Sequence, residues 1–268
     1  MSVIENMCPS HEEVIHEYRK ANCQIRRKGL PRKKAEINAL MENAIFAIVR
    51  DFPDAFLLFG GATLVLFHES VRRSADLDLP ARGTSLPTRD EITDTLKREL
   101  SPIAQISQLG DLQFGTVGSA AKEGSIFVAS ASGQRLFRVD LTNFGSAIES
   151  EIETHPVEAQ SGELVMVRSA TKELLLLQKA EAFLLRRIVK ARDAYDIYIL
   201  SERGAALSPI LRAHLADAIY GNEIDAAAIL ERLALIDTKL CSLELSPILP
   251  PEVYSPLEEG KFGKLRDA

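Results

Sequence analysis

The chain has 268 residues, 46% of them hydrophobic and 26% charged, with a formal net charge of −6. That is ordinary globular composition with room for one large domain or two small ones, and the acidic balance excludes a protein whose whole surface serves as a nucleic-acid ligand. Cys8, Cys23 and Cys241 show neither metal-ligand spacing nor a disulfide framework, which suits a reducing compartment. The opening residues lack the basic and apolar segments of a signal peptide, and the apolar runs are short of a membrane span. The expectation is a soluble cytoplasmic protein with no membrane partner.

Ser10-His11-Glu12-Glu13 fits a capping box and predicts a helix through about Arg27, which Gly29 and Pro31 break. Within residues 19–34 stand eight basic residues and no acid, a solvated helix pair or a surface for a polynucleotide backbone. Residues 32–50 are helical, with Ile37, Leu40, Met41, Ala44, Ile45 and Ile48 at helical spacing. FLLFGG reads as a buried strand ending in a turn, followed by a short helix from Thr63 to about Ser70 and a strand over Asp76–Ala81. After a loop with Gly83 and Pro87 comes a helix from about Thr88 to Leu100. Strands then follow over Leu112–Val117, Ser125–Ala131 and Leu136–Thr142, and a short one over Glu163–Arg168. Near Ser169 the composition turns rich in Leu, Ala, Lys and Glu. Helices are expected over about 170–189, 191–203, 207–220 and 225–236, and an irregular tail after Pro247. The fold class is α+β. The expected division is a core over residues 1–168, with two N-terminal helices and a small mixed sheet, and a helical bundle over 169–268.

The chemistry concentrates between Phe59 and Leu79, FGGATLVLFHESVRRSADLDL. Side chains alternate along a strand, so Asp76 and Asp78 share one face, with Ala75, Leu77 and Leu79 on the other. Such a carboxylate pair suits Mg²⁺, which prefers hard oxygen ligands and leaves positions for substrate phosphates. The bland alternative is a half-exposed edge strand. Gly60 and Gly61 open a helix after a strand, where backbone N–H groups can approach a phosphate; an ordinary strand-to-helix turn would look the same. Asp140, alternating with Phe137, Val139 and Leu141 in RLFRVDLTNF, is the candidate third acid, as metal ligand or as general base for an acceptor hydroxyl. Asp193 and Asp196, three apart, lie on one helix face. The five histidines form no ligand cluster and are taken as structural.

These elements resemble the AbiEii branch of the polymerase-β-like nucleotidyltransferase superfamily, toxins of abortive-infection toxin–antitoxin systems. That branch carries a Gly-Gly-Thr/Ser turn, an Arg-x-Ser-x-Asp-x-Asp run, and later a Lys followed by Arg-Asp-x-x-Asp. The counterparts here are Gly60-Gly61-Ala62-Thr63, then Arg73-Ser74-Ala75-Asp76-Leu77-Asp78, then Lys179 and Arg192-Asp193-Ala194-Tyr195-Asp196, so the likeness covers roughly Asp54 to Leu200. The resemblance implies a polymerase-β-like core and transfer of a nucleoside monophosphate from an NTP, with Mg²⁺ (or Mn²⁺) as cofactor. It implies metal ligation by Asp76, Asp78 and Asp140, and nucleotide binding by Gly60, Gly61, Thr63, Arg73, Ser74, Lys179 and Asp193. It gives Asp196 an active-site role and Lys179 the task of neutralising the triphosphate. Lys172 and Lys190 are alternatives; Lys179 is preferred because Ala182 and Arg186 follow it at the family's spacing. The implied acceptor is RNA, perhaps a tRNA 3′ end, and the implied partner an antitoxin protein. Two other functions fit the same residues: a small-molecule, aminoglycoside-like nucleotidyltransferase, and a non-catalytic binding module on this fold.

Overall fold

The computed structural model describes residues 32–82, 86–118, 123–143, 149–158 and 163–268. The expected helix over 10–27, and most of the basic stretch 19–34, lie outside them. The described chain falls into two compact units. One holds the residues up to Leu57, Ala75–Gly145 and Thr154–Arg168; the other holds Leu58–Ser74, Ser146–Glu153 and Ser169–Ala268.

The first unit is built on a four-stranded sheet. Its strands are β1 (Asp76–Ala81), β2 (Leu112–Val117), β3 (Gly124–Ser130) and β4 (Arg135–Asn143), in the order β1-β4-β3-β2. β1 pairs parallel with β4, and the other pairings are antiparallel. Register then decides which side chains share a row. Leu77, Val139 and Ile126 are partners across three strands, and all are fully buried. The next row on the opposite face is Asp78, Asp140 and Ser125. Helices α1 (Arg32–Asp51) and α3 (Arg89–Ile106) pack on each other; α1 touches β4 and α3 touches β2 and β3. Buried Leu40, Ile45 and Ile48 of α1, with Ile92, Leu96 and Leu100 of α3, are core residues of this unit. A full capping box at Thr88 and Glu91 starts α3, which stabilises its first turn by about 1 kcal/mol.

FLLFGG does not form the expected strand. It contributes isolated bridges only, Phe56 to Ala81 and Leu58 to Ser169, and helix α2 (Gly60–Phe67) opens three residues earlier than its apolar run suggests. Strand β6 (Leu164–Ala170) pairs in a separate two-stranded sheet with β5 (Ile152–Glu158), which was not expected because IETHPVE shows no apolar alternation.

The second unit is helical: α2, α4 (Lys172–Leu185), α5 (Ala191–Glu202), α6 (Pro209–Gly221), α7 (Ala226–Ala234), α8 (Thr238–Leu245), α9 (Pro251–Glu259) and α10 (Gly263–Asp267). The tail is thus not irregular. Pro251 sits in the first turn of α9, where a missing N–H costs nothing and the fixed φ suits a helix. Phe183, Tyr195, Cys241, Phe262 and Leu265 belong to one buried cluster, so the tail closes the core of this unit.

Leu77 stands between the two aspartates of β1 and is fully buried. Leu77→Ala is expected to cost about 2–5 kcal/mol through lost burial and a residual cavity. Urea denaturation should show this as a lower midpoint at unchanged m-value.

Candidate active site

In the second unit the sequence folds an arginine onto a glycine turn. Gly60 has φ +65°, a left-handed conformation that suits glycine. Phe59, which precedes the first turn of α2, makes no side-chain cap. A Cβ on Gly61 would stand 2.5 Å from Arg72 Nη2 and 2.9 Å from Ser74 Oγ. Gly61 is therefore glycine because a guanidinium lies against its backbone. Thr63 is fully buried, and its hydroxyl has no hydrogen-bond partner.

Arg72 is buried and bidentate to Asp196: Nε donates to Oδ1 at 2.5 Å and Nη2 to Oδ2 at 2.8 Å. Nη1 donates to the Arg73 carbonyl at 2.8 Å. Lys179 of α4, only 7% exposed, reaches the same carboxylate, with Nζ 3.2 Å from Asp196 Oδ2 and 3.8 Å from Asp193 Oδ1. Arg186 donates to Asp193 Oδ2 at 2.7 Å. Three cations thus enclose two buried carboxylates. Burial by itself would depress the Arg72 guanidinium, yet the Asp196 charge and hydrogen bonds hold it above its ordinary value. For Asp193 burial wins: it raises the carboxyl despite Lys179 and Arg186 beside it. Burial, with the Asp196 charge, pushes the Tyr195 phenol up to about 12.

Arg72 is not among the residues expected from sequence. The signal was present, because Arg-x-Ser spacing counted back from Ser74 reaches Arg72. Arg73, the expected residue, donates its backbone N–H to the Ile248 carbonyl at 3.0 Å, and its buried Nε has no hydrogen-bond partner. Burial lowers its guanidinium below the usual value. The expected helix through residue 189 ends at Leu185, and α5 restarts at Ala191. That break allows Asp193 and Asp196 to turn back onto Lys179. The basic residues Arg186 and Lys190, between α4 and α5, are ion-paired with Asp193 at 2.7 Å and with Glu244 at 3.1 Å.

In the first unit the strand register brings the acids together. Asp78 and Asp140 are Cα partners on parallel β1 and β4, and Asp76 is the partner of Arg138. Asp140 Oδ1 accepts from Ser125 Oγ at 2.6 Å, and Oδ2 lies 2.6 Å from Arg138 Nη2. Arg138 Nε stands 3.4 Å from Asp76 Oδ1. Among the described residues no three His, Cys, Asp or Glu side chains are already gathered around a metal position. The donors nonetheless fit a hard dication, being carboxylates on one face of two adjacent strands, and a cationic side chain already stands among them.

The first unit thus carries a carboxylate row on a mixed sheet, and the second a glycine turn braced by arginine. This is a nucleotidyltransferase fold, and solved structures share it. JHP933 from Helicobacter pylori is similar at TM-score 0.55 and 18% identity over 89% of this chain and 90% of its own. A putative nucleotidyltransferase from H. pylori is similar at TM-score 0.51 and 17% identity, over 89% and 96%. MenT4, a nucleotidyltransferase toxin from Mycobacterium tuberculosis, is similar at TM-score 0.51 and 15% identity, over 92% and 90%. The family model for the nucleotidyl transferase AbiEii toxin, type IV toxin–antitoxin system, matches residues 43–248, and the chain belongs to that family. It is a nucleotidyltransferase. No curated protein matches the chain. No helix among the described residues is long and apolar enough to cross a membrane.

Asp196→Ala leaves Arg72 and Lys179 buried without their shared carboxylate. The expected cost is about 3–5 kcal/mol, read as a drop in the denaturation midpoint. Asp193→Asn tests the opposite balance. The folded-state pKa of Asp193 is raised, so its contribution favours folding at low pH and is lost as pH rises from 3.8 through the folded value. Relative to wild type, Asp193→Asn should therefore gain stability as pH rises over that window. Urea midpoints measured from below pH 3.8 to neutrality would show the difference growing in the variant's favour.

Proposed function

We propose that this toxin moves a nucleoside monophosphate from an NTP to a hydroxyl of RNA, such as a tRNA 3′ end, with pyrophosphate leaving. The cofactor is Mg²⁺, replaceable by Mn²⁺, and the setting is the cytoplasm beside a cognate antitoxin. The observation that carries this reading is the in-register acid row: Asp78 beside Asp140, with Asp76 one step along the same face.

Asp76, Asp78 and Asp140 would hold the metal, which neutralises phosphate charge and eases deprotonation of the attacking hydroxyl. Asp140 is also placed by its Ser125 bond to accept the hydroxyl proton in a fixed direction. Gly60 and Gly61 open α2, where backbone N–H groups would approach phosphate oxygens. Thr63, Arg73, Ser74 and Asp193 line the same motifs. The ammonium of Lys179 offsets triphosphate charge as a point charge, and Asp196 fixes its direction from 3.2 Å. Three cations against two carboxylates give this cluster a surplus of positive charge, which favours an anionic substrate.

The test incubates the purified chain with total RNA, Mg²⁺ or Mn²⁺ and each α-labelled NTP in turn. Labelled RNA is the expected product. Asp76→Asn should cut the rate by about 10²–10³. Its Tm should move by no more than about 4 °C, because the part-exposed pair with Arg138 is worth about 1 kcal/mol at most. Full activity in Asp76→Asn would defeat the metal mechanism. Label on small molecules alone would defeat the RNA acceptor.

A further inference from the structure

The Arg138 guanidinium lies among the acids that the proposed reaction needs. It is 2.6 Å from Asp140 Oδ2 through Nη2 and 3.4 Å from Asp76 Oδ1 through Nε. The other oxygen of Asp140 is taken by Ser125 at 2.6 Å, so both oxygens of the third acid are already engaged. The hold is incomplete, however. Arg138 Nε is buried and makes no hydrogen bond of good geometry, and the side chain keeps 32% of its surface exposed. A part-exposed guanidinium with one close contact can be displaced at modest cost, since part-exposed ion pairs contribute little. β4 also fixes its position: Arg138 precedes Asp140 by two residues and so points to the same face.

We propose that Arg138 is a positioning residue that sets the divalent-cation affinity of the carboxylate row. In the metal-free protein it supplies positive charge between Asp76 and Asp140, on a strand face where Asp78 and Asp140 are direct partners and clustered carboxylates repel without a counter-charge. An arriving dication must displace this charge from Asp140 Oδ2 or bear its repulsion. The wild-type site therefore binds metal more weakly than its three acids would alone. The inference rests on the metal reading of the proposed function and adds the residue that opposes it.

Mn²⁺ titration of the full chain, with free Mn²⁺ followed by its EPR signal, tests this. Arg138→Gln should bind about tenfold more tightly, equivalent to about 1.4 kcal/mol. Arg138→Lys, which keeps the charge but loses the planar fork, should bind about threefold more tightly. The Tm of Arg138→Gln without metal should fall, and the rise on adding Mn²⁺ should exceed that of wild type. Should Arg138→Gln not fold, the Arg138→Lys affinity decides. Equal affinity in wild type and the Arg138 variants, with binding lost in Asp140→Asn, would overturn the role of Arg138 and keep the metal site. No Mn²⁺ binding in any of them would overturn both.

Discussion

The buried pair of Arg72 and Asp196 is the contact on which the second unit depends. A guanidinium out of water is tolerable only when a carboxylate meets it in full, and here both oxygens do so across 124 residues of sequence. Much else follows from that one requirement. Gly61 has no side chain because the guanidinium needs the space. α4 stops at Leu185 and α5 restarts at Ala191, which turns Asp193 and Asp196 toward Lys179. The residues that read as a catalytic motif are therefore also the polar core of a helical unit.

The first unit solves a different electrostatic problem. Its acids stand on a sheet face whose reverse is apolar, with Leu77, Val139 and Ile126 filling the other side. Burial of that reverse fixes the register, because a slip of one residue would carry the leucines to solvent and the aspartates into the core. Specific hydrophobic packing thus holds the carboxylates in place without touching them. Charge balance there falls to Arg138, whose guanidinium stands between Asp140 and Asp76.

Much of this was legible in the sequence. Alternation in SADLDLPA and RLFRVDLTN predicts both strands and the face each acid takes, since period 2 is a local property. Family resemblance places Lys179 and the Arg-Asp-x-x-Asp run. What was not legible depends on partners distant in the chain. That Arg72, rather than Arg73, meets Asp196 is decided by tertiary packing. That Arg138 stands between Asp76 and Asp140 requires knowing that β1 and β4 are parallel neighbours. FLLFGG has strand composition but finds only isolated bridges, and IETHPVE has no strand pattern yet pairs with β6. Propensity yields to context in both. Pro250 and Pro251 misled for a simpler reason: at a helix start proline is a beginning, not a break.

The parallel pairing of β1 with β4 also sets the order in which the carboxylate row can assemble. A parallel neighbour cannot be reached by a hairpin; the chain must first pass through α3, β2 and β3. During synthesis Asp76 and Asp78 emerge without Asp140 beside them until β4 has left the ribosome. Arg72 waits longer still for α5. Non-local pairings of this kind are slow to form, and a chain that stops before β4 carries no assembled carboxylate row. The row is therefore tied to a strand that follows an intervening helix and two strands.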